Sequence, residues 1–261
     1  MDELNSDVYL DNEPLNAISP HIRVITIEEQ PATRTIQTVA GGRIGSHVLR
    51  DQVTSISVRI QFVILESNYE RRKAICGMIS KWARNGRHLQ IADRSSQELR
   101  VRCTALPKIS DTRDWGKVLS MTFTAYETPW WENTVPWIVR SATAGTEHHA
   151  YLRFGADHPE SQLDVVVTAV AAVDSVTVSV YDDRMAFSGL GMAVGDQLHI
   201  VHEDGLLVAY VLSGAKRRPC LSCRSAESSD DLMVCEGKNN PILLTADAAV
   251  TAAFSTRGRY D

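Results

Sequence analysis

Four residues have the types and spacing of a zinc site. His199 and His202 precede Cys220 and Cys223, and Cys235 adds a further thiol. Tetrahedral zinc accepts two imidazoles and two thiolates in such an arrangement. The two histidines, however, lie in a stretch that reads as a strand, where a three-residue step points side chains to opposite faces. Only a bulge or turn at Val201 would bring them together. The reading is therefore a surface histidine and core or loop cysteines, with no metal assigned.

The other chemically suggestive groups read the same way. Glu147-His148-His149 has the look of a metal or acid–base cluster, yet it lacks a third partner and sits in a Ser/Thr/Gly-rich link. Asp182-Asp183 and Ser229-Asp230-Asp231 pair carboxylates, but adjacent acids in β-rich sequence mark turns, and a catalytic pair must converge in a cleft. No serine lies in a nucleophile elbow. Gly41-Gly42-Arg43-Ile44-Gly45 is a loop or hairpin tip, because no helix and no Gly-Lys-Ser/Thr follows it. Trp130, Trp131 and Trp137 have faces suited to a sugar ring, but they flank an apparent domain boundary and read as hinge packing. Arg71, Arg72, Lys73, Lys81, Arg84 and Arg87 form a basic side to a helix, read as a solvated face; the functional alternative is contact with an acidic neighbour in an assembly. No catalytic residue, cofactor or metal is assigned, and the chain is expected not to be an enzyme.

The positioning elements are clearer than the chemistry. From Val53 to Leu65, Ile56, Val58, Ile60, Phe62 and Ile64 alternate with Ser57, Arg59 and Gln61, the period of a half-buried strand. Val63 and Leu65 suggest that its end is covered on both sides. A helix of about four or five turns follows, with Ser67 and Glu70 as a capping box, Ile75, Met78, Ile79 and Trp82 as its apolar stripe, and Asn85-Gly86 as a left-handed stop. Leu99, Val101, Cys103 and Ala105 predict one strand, and Leu119, Met121, Phe123 and Ala125 another. Thr128-Pro129-Trp130-Trp131-Glu132 closes the unit, since proline cannot donate to a ladder. Upstream, residues 1–20 read as an arm with a turn at Asp11 to Pro14. Strands follow near Ile22 to Thr26 and Thr33 to Val39.

This order resembles the phage distal tail protein family (Dit) of siphophage tails and related prophages. The resemblance rests on Arg71, Ile79, Trp82, the Leu89 to Asp93 strand, Trp115, Phe123 and Pro129-Trp130-Trp131. It covers the 80 residues from Val53 to Glu132 well and the remainder loosely. Further points of likeness are Gly195-Asp196 entering a strand, Gly237-Lys238-Asn239-Asn240-Pro241-Ile242, and the Arg257-Gly258-Arg259-Tyr260 ending.

Beyond a hinge at Asn133 to Trp137 the helical periodicity vanishes. Short apolar stretches alternate with turn signals such as Asp182-Asp183, Gly195-Asp196 and Ser213-Gly214, the punctuation of a β-sandwich or jelly roll. The expected architecture is mainly β with one main helix. An N-terminal β-sandwich or split-barrel-like domain carrying the helix spans residues 1–136, and a sandwich spans 137–261; the resemblance makes that sandwich galectin-like.

Composition excludes several classes. The 261 residues suffice for two domains. A net charge of −5 gives no basic excess for phosphate neutralisation, so nucleic-acid sequence recognition is not expected. No apolar run approaches the length of a membrane span, and the acidic start, Met1-Asp2-Glu3-Leu4, is not a secretory signal. Five cysteines without such a signal fit folding in a reducing cytoplasm rather than a disulfide framework.

The resemblance implies a structural protein of the virion tail, assembled in the host cytoplasm. Its expected partners are itself, as a homo-hexameric ring or two stacked rings, the tail tube protein above, the tail-tip protein below, and receptor-binding proteins docked on the outer sandwich. The Val53 to Leu65 strand and its hairpin partners are the expected pairing edges between subunits. The alternative is a carbohydrate-binding module, with the C-terminal sandwich recognising cell-surface glycan. The tryptophans all lie at or before Trp137, at the very start of that sandwich or outside it, which weighs against this alternative.

Overall fold

A computed structural model describes residues 8–31, 34–40, 46–53, 55–109, 115–126, 128–141, 143–203 and 205–260. The chain divides into two compact units, Met1–Glu132 and Asn133–Tyr260. It is mainly β, with a single α-helix among the described residues.

The N-terminal unit contains β1 (Val8–Leu10), β2 (Glu13–Pro14), β3 (Ile22–Gln30), β4 (Arg34–Ala40), β5 (Ser46–Val53), β6 (Ile56–Ile64), α1 (Tyr69–Asn85), β7 (His88–Ile91), β8 (Gln97–Arg100), β9 (Arg102–Ala105), β10 (Leu119–Ala125) and β11 (Trp131–Asn133). One sheet has the order β3-β6-β10-β9, and a smaller one runs β2-β1-β7-β8-β11. Strands β4 and β5 pair with each other in a separate two-stranded sheet that lies in the chain between β3 and β6. The Gly41–Gly45 loop falls outside the described residues.

The alternation in β6 is realised: Ile56, Val58, Ile60, Phe62 and Ile64 are all buried. They meet Leu119, Met121, Phe123 and Ala125 of the adjacent β10, which are buried too. Leu65 is exposed, so the end of the strand is not covered on both sides as expected. The single strand expected from Leu99 to Ala105 is two, β8 and β9, which turn into different sheets around the buried Val101. Nor are residues 8–20 an arm. Val8, Leu10 and Leu15 are buried, and β1 pairs with β7. Asp11 and Asn12 take positive φ in the β1–β2 hairpin, a conformation short polar side chains tolerate. The Asp11 carboxylate then accepts from the Arg87 and His88 backbone N–H groups.

Helix α1 starts one residue later than the capping box implied. Asn68 is the N-cap and accepts from Arg71 N–H at 3.0 Å. Its buried face is Arg72, Ile75, Cys76, Ile79 and Ala83. Met78, expected in the stripe, is 48% exposed, because Arg72 and Cys76 rotate the contact surface away from it. Trp82 lies edge-on to Phe123 at 6.3 Å and donates to the Glu13 carbonyl. Gly86 does not stop the helix by a left-handed turn: its φ is −78°. Glycine is required there for space, since a Cβ would fall on Cγ and Cδ2 of buried Leu10. Gly86→Ala is expected to cost about 1–3 kcal/mol through this overpacking; chemical denaturation measures it.

The C-terminal unit contains β12 (Trp137–Arg140), β13 (Gly145–Leu152), β14 (Glu160–Ala169), β15 (Val173–Val180), β16 (Asp183–Met192), β17 (Gln197–Glu203), β18 (Leu206–Ser213), β19 (Lys216–Pro219), β20 (Met233–Cys235), β21 (Asn240–Thr256) and β22 (Arg259–Tyr260). The 17-residue β21 organises the sandwich. Its first half pairs with β13 and β15, its second with β12 and β14. Two layers thus share one bent strand: β16-β15-β21-β13, and β12-β21-β14-β17-β18-β19. Val165, Val167, Val176, Val178, Leu198, Ile200, Leu244 and Phe254 are among the side chains buried in one continuous core. Strand β16 has no clean sequence signature because Gly189 and Gly191 both take positive φ and interrupt its alternation.

Candidate functional site

Among the described residues no group of His, Cys, Asp and Glu could hold a metal ion, and His199 and His202 take different partners. His202 instead lies between two carboxylates. Its Nδ1 is 2.8 Å from Asp164 Oδ1 and its Nε2 2.9 Å from Asp231 Oδ1, with the side chain only 8% exposed. Asp164 also accepts from the His202 backbone N–H, and Asp231 from Gln162. Burial disfavours the charged imidazole, but the hydrogen bonds and charges of the two aspartates prevail and hold its pKa at about 9. For Asp231, burial pushes upward, while the His202 hydrogen bond and charge pull the carboxyl below its usual value. This is a buried ionic clip joining β14, β17 and the loop before β20, with no free nucleophile.

His199 points elsewhere. It stacks on Tyr210 at 4.8 Å and 4°, and the Arg217 guanidinium lies 3.7 Å from the same Tyr210 ring. Burial, then the charge of Arg217, lowers the pKa of His199. Burial pushes the Cys220 thiol up to about 11, which suits an inert core residue. Cys223 and Cys235 are half-buried free thiols.

The Glu147-His148-His149 motif is split by strand alternation. His148 is buried and bonds the Val250 and Gly145 carbonyls, whereas His149 faces outward and pairs with Glu147 at 2.7 Å. Asp183 and Ser229 tie backbone groups of neighbouring segments, as turn residues do. Trp131 is fully buried and belongs to the N-terminal core: its Nε1 donates to Glu29 Oε1 at 2.9 Å, and the Arg94 guanidinium lies 5.2 Å from its ring. Trp137 packs on Phe154 in the other unit, at 6.2 Å. Neither presents a sugar platform. On the helix, Arg71, Lys73, Lys81 and Arg84 are exposed, as is Arg87 beyond its end. Arg72 departs from the solvated face: it is buried and donates to the Glu66 and Ser67 carbonyls.

The sheet order decides which strands have a free edge. Strand β6 is bonded on both sides, by β3 and β10, so it offers no edge. The terminal strands of that sheet are β3 and β9. Strand β3 carries a bulge at Ile25, which is 52% exposed. The β4–β5 ribbon pairs with no other strand among the described residues.

A β-hairpin sheet carrying one helix, followed by a sandwich built on a bent strand, has counterparts among solved structures. SPP1 Dit (gp 19.1), described as a paradigm of the hub adsorption apparatus in phages infecting Gram-positive bacteria, superposes with a TM-score of 0.67 over 96% of this chain and 98% of its own. The chain has the fold of a phage distal tail protein. A chain of the phage p2 baseplate in its activated, Sr-bound conformation matches with a TM-score of 0.52, covering 91% of this chain and 90% of its own. Both are 9% identical to it. No family model and no curated protein matches the sequence. The distal tail protein fold thus persists here through topology and core pattern rather than residue identity.

Proposed function

We propose that this protein is the structural hub at the distal end of a phage or prophage tail, a non-enzymatic ring, hexameric or doubled, between the tail tube and the tail-tip protein. The observation that carries this reading is the match to the SPP1 hub protein across nearly the whole of both chains. The N-terminal unit forms the ring and the C-terminal sandwich faces outward, where receptor-binding proteins dock. A cyclic ring repeats one heterologous contact until it closes. The β3 edge and the β4–β5 ribbon offer backbone groups for such a contact, and pairing across subunits would hide an otherwise aggregation-prone edge.

Light scattering with negative-stain imaging of the same peak tests this. The expected result is a mass of six or twelve chains and rings with a central hole. Ile25→Lys places a charge on the β3 edge at a bulged, exposed position and is expected to leave a folded, dissociated chain. An intact ring in that variant would exclude the edge. A protein that stays monomeric with its tail-tip partner present would exclude the hub.

A further inference from the structure

The outer face of the β13-β21-β15 layer carries a groove of about 260 Å³. Strand pairing aligns its rows: His149 opposite Leu243 and Leu243 opposite Ser179, with Tyr151 opposite Pro241 in the next row. Pro241, Leu243 and Ser179 line the groove between two tyrosines, Tyr151, 60% exposed, and Tyr181, 49% exposed. His149 stands at the same groove, held by Glu147 at 2.7 Å.

Tyr181 occupies its place at a conformational cost. It is the first residue of the two-residue β15–β16 turn, with φ of +50°. Glycine is the usual residue at such a position, and a bulky side chain there is a genuine outlier. Backbone strain of this kind gathers at ligand clamps. No lysine or arginine lines the groove, so an anionic ligand finds no counter-charge. What the groove offers is two amphipathic rings, an apolar floor, and a rim of tyrosine and serine hydroxyls and an imidazole. Apolar surface with a few convergent polar groups is the general form of a ligand site. This combination matches the CH face and hydroxyl edge of a neutral pyranose, and the volume matches one or two sugar rings.

We infer that the Tyr151–Tyr181 groove binds a neutral glycan, the tyrosine rings receiving the sugar's apolar face and Ser179 and His149, the latter oriented by Glu147, its hydroxyls. A shallow site for so small a ligand holds it weakly, with Kd of order ~1 mM. If the chain forms the ring proposed above, the repeated sites raise this by roughly 10²–10⁴ through avidity, but single-site binding requires no ring.

The test is saturation-transfer NMR on the full-length protein with glucose, galactose, rhamnose and N-acetylglucosamine, and with oligosaccharides of each. At least one sugar is expected to receive saturation at its ring C–H protons. Tyr151→Ala and Tyr181→Gly should each weaken binding at least tenfold. Tyr181→Gly also relieves the φ strain, so its melting temperature should equal or exceed that of the parent, which separates loss of binding from loss of fold. Absence of transfer to every sugar, or unchanged binding in both variants, would overturn the assignment. So would a proline-rich peptide that perturbs both tyrosines where no sugar does. A monomeric mass bears on the hub and leaves this result untouched.

Discussion

Replacing His202 by alanine is expected to destabilise the C-terminal unit by about 3 kcal/mol, the low end of the range for breaking a buried ion pair from one side, because Asp164 and Asp231 keep 33% and 29% of their side-chain exposure. Two aspartates then lose their common partner inside the fold, Asp231 with an atom formerly 2.9 Å from the imidazole. The pH dependence gives a second signature. The folded pKa of His202 is about 9, against 6.5 for the ordinary side chain. A raised folded pKa means that its stabilisation is complete below the unfolded value and is lost as pH rises through the folded one. The window is therefore pH 6.5 to about 9, and the difference corresponds to about 3 kcal/mol. Asp231 acts with opposite sign: its folded pKa is depressed, so its contribution is present at neutral pH and fades as acid protonates it. Thermal unfolding of the parent should show the C-terminal transition falling between pH 7 and pH 10. In His202→Ala that fall should flatten. An alanine variant with the same melting temperature and the same alkaline slope would show that the clip contributes nothing.

Trp131→Ala should cost the N-terminal unit about 3–5 kcal/mol, the range for deleting a fully buried large aromatic side chain. Its ring is wholly buried, and its indole N–H holds Glu29, which also lies 3.3 Å from Arg94. Trp131→Phe separates the two contributions. It keeps much of the packing and loses the hydrogen bond, so it should be less destabilised than the alanine variant. With about 1.5–3 kcal/mol typical of a hydrogen bond to a charged group, the residual deficit in Phe should lie in that range. Urea unfolding monitored by far-UV circular dichroism measures both. If Phe were as damaging as Ala, the Glu29 bond rather than the core volume would dominate.

Both positions show what the linear chain conceals. Trp131 stood in the sequence beside Trp130 and a proline and read as a hinge. In the fold it is buried, and its indole donates to Glu29, on a strand about a hundred residues earlier; nothing local to Trp131 indicates that pairing. His202 stood in a zinc-like spacing with Cys220 and Cys223. Its real partners, Asp164 and Asp231, come from a neighbouring strand and a loop, and only the β14–β17 register brings Asp164 within hydrogen-bonding distance. Tyr151 and Tyr181 belong to no sequence motif. One is an outward residue of a strand and the other a turn residue, and they share a groove because β13 and β15 both pair with the first half of β21. An aromatic residue at a hairpin position that favours glycine was the available signal.

What the sequence determined by itself is the local periodicity. The period-two burial of β6 and β10, the helix from Tyr69 to Asn85, the absence of any other helix pattern, and the strand-and-turn punctuation after Trp137 are all written in short-range order, since they depend on residues two to four apart. The likeness to distal tail proteins came from the order of those elements. Tertiary structure alone decided which strand ends a sheet and which lies within it. Residues of β6 alternate in the same way whether one neighbour or two bond to it, so its central place could not be read from its own residues. It also decided which side of the helix is buried, where Arg72 displaced Met78, and why Gly86 must be glycine. Each of those outcomes is set by contact with a distant segment, and neighbouring residues in the chain carry no record of it.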